Sequence, residues 1–147
     1  MDRNVALVAA VAIGGVVAMQ APLNSALGRL VGGTQASMVA LAISCVALAG
    51  LSALTGGFSE LSRIADAPLH VAIGGGLIGA LYVGSIVWTV RALGAGGLTA
   101  ATIAGQLALA VVIDHFGWLG VARSPITASK VLGIALLALG TWFVVRD

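Results

Sequence analysis

The sequence predicts an all-α integral membrane protein of five transmembrane helices. Apolar stretches recur along the chain, and a hydrocarbon core of ~30 Å needs ~20 apolar residues as helix. Each stretch ends at a lone Arg, a Gly cluster or a Pro. Of the 147 residues, 60% are hydrophobic and 8% charged, with a mean hydropathy of +1.13. A soluble domain carries ~25% charged residues.

The spans are placed at Val5–Leu27, Thr34–Thr55, Leu69–Arg91, Gly96–Gly117 and Ile126–Val145, and residues 1–147 read as a single transmembrane domain. Breakers mark the gaps: Gly32-Gly33, Gly56-Gly57, Ala67-Pro68, Gly94 to Gly97 and Ser124-Pro125. The first stretch resembles a signal peptide in its Ala-rich apolar start. It continues through Leu27, too far for a signal core, and is read as a retained helix. Between spans two and three, Phe58, Leu61, Ile64 and Ala65 fall roughly on one face, which suits either a short interfacial helix or a loop.

The longest loop, from Gly56 to Pro68, leaves no room for a soluble catalytic domain. The single Cys45 lies inside an apolar stretch and excludes a disulfide framework within one chain. It is expected to be a small buried side chain. The seven basic residues are scattered singly, so no nucleic-acid surface is read. No His–carboxylate metal spacing and no nucleophile–base pair is present, and the Gly runs lack the Lys-Ser/Thr sequel of a phosphate loop. Neither an enzyme nor a bound metal or cofactor is expected.

Five crossings put the termini on opposite sides. Arg3, Arg63, Arg123 and Lys130 then share the side of the N-terminus, and Arg29, Arg91 and Arg146 the other. Lys and Arg bias sets orientation, and four against three is almost none. Such a chain can insert both ways and pair antiparallel with a second copy; alternatively Arg3, Arg63 and Lys130 hold the N-terminus inside. Small residues at helical spacing predict packing faces at Gly14, Gly15 and Ala18, at Gly75 and Gly79, at Gly97, Ala101 and Gly105, and at Gly133 and Gly140.

Polar residues at membrane depth are the functional candidates. Gln20 and Asn24 are four apart and share a helix face. Pro22 between them removes a backbone donor, which frees a carbonyl to line a polar cavity. Tyr82 and Gln106 lie near the middles of the third and fourth spans, with Trp88 beyond Tyr82. Together they suit a neutral hydrogen-bonding site with aromatic surface for a cation or ring; the competing reading is hydrogen bonding from helix to helix. The adjacent Asp114 and His115 near the end of span four suit proton coupling or, the favoured reading, an interfacial pair that caps the helix or binds loop backbone. His70, after Pro68, reads as interfacial.

Several segments resemble a known family: Gln20-Ala-Pro-Leu-Asn24 with Leu27-Gly28, Ala36-Ser37, Gly74 to Gly79 with Tyr82-Val83, Gly105-Gln106 with Ile113-Asp-His-Phe-Gly117, and Pro125 with Leu132-Gly133 and Gly140. In order and over essentially the whole chain, these are similar to the small five-helix bacterial inner-membrane family of YdcZ type, in the drug/metabolite transporter superfamily. The resemblance implies a multi-pass protein of the bacterial inner membrane. It also implies one half of an inverted-repeat transporter, assembled as an antiparallel homodimer or with an oppositely oriented paralogue. The smallest multidrug relatives carry a membrane-embedded Glu in their first helix. Here the first helix has no acidic residue beyond Asp2, so proton-coupled drug export by that route is not implied. The functional expectation is a secondary transporter or exporter of a small polar or amphipathic solute. The alternative is a non-transporting subunit that stabilises or regulates a partner membrane protein.

Overall fold

The computed structural model describes residues 2–146, and every regular element among them is helical. In chain order these are α1 (Arg3–Ala18), α2 (Gln20–Val31), α3 (Gly33–Thr55), a 3₁₀ segment (Gly57–Asp66), α4 (Leu69–Phe116), a 3₁₀ turn (Trp118–Gly120) and α5 (Ala128–Val145). Four helical stretches are long and apolar enough to cross a membrane: Arg3–Val31, Gly33–Thr55, Leu69–Phe116 and Ala128–Val145. The chain forms two compact units, Met1–Arg91 and Ala92–Asp147.

Pro22 explains the interruption between α1 and α2. Proline has no N–H, so the Ala18 carbonyl loses its i+4 donor. The backbone tightens there, and Met19 N–H donates to Val16 O at 3.1 Å in place of the regular bond. Helical geometry resumes with Leu23 N–H donating to Met19 O at 3.2 Å. The helix runs to Val31, four residues past the expected Leu27, and stops where Gly32 takes φ +96°. Gly56, at φ +73°, ends α3 in the same way.

The 48 residues of α4 would span about 72 Å at 1.5 Å per residue, more than twice the hydrocarbon thickness of ~30 Å. The backbone leaves helical geometry at Gly94, with φ 69° and ψ 170°, a conformation reached almost only by glycine. Residues 69–93 and 95–116 on either side are each long enough to cross. Within the expected breaker run Gly94 to Gly97, therefore, one glycine makes the break.

The core of the first unit is small and built on close backbone approach. Ala21, Asn24, Ser25 and Gly28 form the buried face of α2, and Ala36 and Ser37 that of α3. Val83, Ile86, Val87 and Val90 complete it from α4, with Val87 fully buried. A Cβ at Gly28 would lie 2.8 Å from Val87 Cγ1, and one at Gly33 3.2 Å from the same atom. Ser37 Oγ is within donating reach of its own helix at Gly33 O (3.0 Å) and of Val83 O across the interface (3.1 Å).

In the second unit α5 packs against residues 95–116. Thr141 Oγ1 reaches Ala100 O at 3.2 Å, and a Cβ at Gly97 would lie 3.2 Å from Val145 Cγ2. The first turn of α5 begins two residues after the expected Ile126, because Thr127 caps it by accepting from Lys130 N–H.

Of the glycines nominated by spacing, Gly97 makes a close approach inside the chain, whereas most do not. Cβ atoms at Gly75, Gly79, Gly105, Gly133 and Gly140 would meet nothing within 4 Å. Spacing marks a smooth stripe but not the face that is covered. Cys45, expected to be buried, lies exposed on the apolar outer surface of α3.

Gly28→Ala should destabilise the first unit by roughly 1–3 kcal/mol, since Val87 has no free volume into which to move. Gly75→Ala should leave the stability of the isolated chain unchanged or slightly raised. Unfolding in detergent titrated with denaturant, followed by circular dichroism, compares the two.

Candidate functional site

Hydroxyl side chains and amide side chains behave differently in this chain. Within the helices, Ser37, Ser44, Thr55, Ser85, Thr89, Thr102 and Thr141 each donate to a carbonyl three or four residues earlier. Short hydroxyls can satisfy themselves this way in a bilayer. The side chains of Gln20, Asn24, Tyr82 and Gln106 make no hydrogen bond to any described residue. Asn24 is 8% exposed, and its Nδ2 is sealed without a partner.

Each of the four sits on a different part of the scaffold. Gln20 opens α2, half-buried beside the interruption made by Pro22, and Asn24 lies one turn on, toward the buried face. Tyr82 is half-buried near the middle of residues 69–93. Gln106 is exposed near the middle of residues 95–116, in the second unit. In the first unit α3 and α4 leave an open groove of about 320 Å³, lined by Thr34, Ser37, Met38, Leu41, Ala80, Gly84 and Trp88. Trp88 is the one sequence-nominated residue on that lining.

Asp114 and His115 belong to a different structure, the corner between α4 and α5. Asp114 O accepts from Ser124 N–H at 2.8 Å and from Gly117 N–H at 3.3 Å. His115 O accepts from Arg123 Nε at 3.0 Å, and His115 Nδ1 accepts from Ile126 N–H at 3.2 Å. Lys130 Nζ donates to Ser124 O, Ser124 Oγ and Pro125 O. Phe116 stacks on Trp118 at 5.0 Å. The last carbonyls of a helix lack intrahelical donors, and here the returning loop supplies them. The two side chains do not bond to each other; the ring of His115 is spent on loop backbone. Sequence reasoning missed Arg123, Ser124 and Lys130 as parts of this corner. The Ser-Pro before a helix start was the available signal.

Among the described residues no group of three or more His, Cys, Asp and Glu side chains could hold a metal ion.

Residues 5–143 match a family model described as "Putative inner membrane exporter, YdcZ". The chain belongs to the YdcZ family of inner-membrane exporters. Its four apolar helical stretches accord with residence in the inner membrane. No curated protein and no solved structure matches the chain.

His115→Ala should loosen the corner without unfolding the helices. Hydrogen exchange at the Ile126 amide is expected to rise on the order of tenfold, the equivalent of losing one hydrogen bond of ~1.4 kcal/mol. Exchange in the middle of α5 should not change.

Proposed function

We propose that this YdcZ-family chain is one half of a secondary transporter for a small polar or amphipathic solute. It would export the solute by alternating access between two inverted copies. α4 is read as two crossings divided at Gly94, giving five in all. Gln20, Asn24, Tyr82 and Gln106 are the residues of each half that this reading assigns to solute contact; inverted-repeat transporters hold solute near the membrane midplane.

The observation that carries this reading is the set of unpartnered amide and phenol side chains at membrane depth. A polar group facing hydrocarbon without a hydrogen bond costs about 2–7 kcal/mol. Helix-to-helix bonding would have relieved that cost inside the chain, yet none of the four side chains bonds there. A solute, cavity water or a second chain then has to supply the partners. The near balance of four basic residues against three favours a second copy in the opposite orientation, or an oppositely oriented paralogue. Gly75, Gly79, Gly105, Gly133 and Gly140 offer open faces against which such a copy could pack. For Asp114 and His115 the reading is capping, because His115 Nδ1 is already engaged as an acceptor.

In reconstituted vesicles, Gln20→Ala and Gln106→Ala should each lower export of a cargo found from a solute panel by about tenfold or more, a loss of ~1.4 kcal/mol. Cross-linking should show the dimer intact. Normal export in both variants would refute the site. Absence of export by the wild type for every solute, with the protein recovered in complex with another membrane protein, would favour the partner-stabilising role. C-terminal fusions of a cytoplasm-active and a periplasm-active reporter should both report if the chain inserts both ways.

A further inference from the structure

Arg91 enters the sequence reading only as a charge that sets orientation, but its position in the first unit gives it a second role. Its Nε donates to Ser25 Oγ at 3.5 Å, the outer limit of a hydrogen bond. Its Nη2 lies 3.4 Å from where a Cβ of Gly28 would be. The guanidinium therefore lies against Ser25 and Gly28, two members of the buried face of α2 on which Asn24 also sits. Among the described residues Arg91 has no carboxylate partner; the one ion pair is Glu60–Arg63. Ser25 is 5% exposed and Asn24 8% exposed, and the Nδ2 of Asn24 has no acceptor at all.

The chemistry of these groups is one-sided. A guanidinium offers five N–H donors and no acceptor. The amide nitrogen of Asn24 is a donor, and the Ser25 hydroxyl, accepting from Arg91, has a hydrogen left to give. Ser25 lies six residues before the end of α2 at Val31, about 9 Å into the helix at 1.5 Å per residue. On α2 the buried donors lie one turn from Gln20. A cationic solute would be repelled by Arg91, and a neutral acceptor would satisfy the donors without compensating its charge; an oxyanion would do both, and hydrogen bonds to a charged group are the stronger kind.

We propose that Asn24, Ser25 and Arg91 form an oxyanion site, which receives the carboxylate or phosphate group of the transported solute. The proposal rests on the transport reading and narrows its solute to the anionic class. Arg91 supplies the charge. Ser25 holds the guanidinium against α2, and Asn24 donates from the inner end once the long Arg91–Ser25 contact opens to admit the ligand.

The test is an equilibrium measurement that needs no turnover. The full chain carrying Trp118→Phe and Trp142→Phe keeps Trp88 as its single indole, and that ring lies 3.3 Å from the Cβ position of Gly33 in the same core. In nanodiscs of phosphatidylcholine alone, titration with inorganic phosphate or acetate at constant chloride-balanced ionic strength should change Trp88 emission saturably. Arg91→Gln and Asn24→Ala should each weaken binding on the order of tenfold or more, and Arg91→Lys should retain part of it. A second arm replaces part of the lipid with phosphatidylglycerol. If emission responds to that lipid and added phosphate then has no further effect, the site stands and its oxyanion is a lipid headgroup. No saturable response in either arm, or an unchanged response in Arg91→Gln with helix content intact, overturns the site. Loss of export in the Gln20 and Gln106 variants would still stand in that case, so the two readings fail separately.

Discussion

The absence of water in the bilayer core governs this chain. Every backbone N–H and C=O there must find its partner within the protein, which leaves helices or a closed barrel, and this chain meets the constraint with helices. The same constraint acts on side chains. Hydroxyls meet it by bonding to the carbonyl one turn back, as Ser44 and Thr102 do. The amides of Gln20, Asn24 and Gln106 do not, and make no hydrogen bond among the described residues. In the transport reading their partners are a solute, cavity water or a second chain.

Packing within one chain is modest. The buried apolar set is confined to a few Ala, Val, Ile and Leu side chains, and α1 and α5 bury no residue completely. Lipid replaces water on most of the outer surface, so the exposed Val, Leu and Ile side chains carry no penalty there. Without a hydrophobic drive between helices, association depends on van der Waals fit and a few hydrogen bonds. Gly28 and Gly33 provide the fit by letting α2 and α3 close on Val87, and Ser37 provides the bond by reaching Val83 O. Removal of either glycine's open space acts directly on the face that carries Asn24 and Ser25.

Apolar helices were legible because bilayer thickness turns an apolar run into a length measurement; their ends were less so, since the first stretch runs on to Val31 and the last helix starts at Ala128. Pro22 was legible as an interruption since its missing N–H is a covalent fact. The Gly94 break was legible as a Gly-rich gap. What could not be read was which side of a helix meets another helix. In a soluble protein the polar face marks the outside; here both faces are apolar, and small residues at four- or seven-residue spacing occur on covered and uncovered faces alike. Gly75 and Gly79 therefore looked like Gly28, and Cys45 was assigned to an interior that it does not occupy. The role of His115 was half legible. Its nearness to a loop was plain, but its acceptor role depends on the backbone path of Arg123 to Ile126, which no spacing rule encodes.

Depth and charge together decide what kind of solute such a chain could favour. In the transport reading, Gln20, Tyr82 and Gln106 are electrically neutral and would discriminate by hydrogen-bond count. Arg91, which contacts Ser25 and has no carboxylate partner among the described residues, would bias that reading toward negatively charged solutes. The bias is stronger at the edge of a low-dielectric medium than it would be in water. Pro22 adds a structural consequence at the same place: the bond it removes would run from residue 22 to the Ala18 carbonyl, so the weakest turn of the α1–α2 span adjoins its polar stretch. Gln20, Asn24 and the weakened turn therefore adjoin one another on one span, and Arg91 reaches that span from α4.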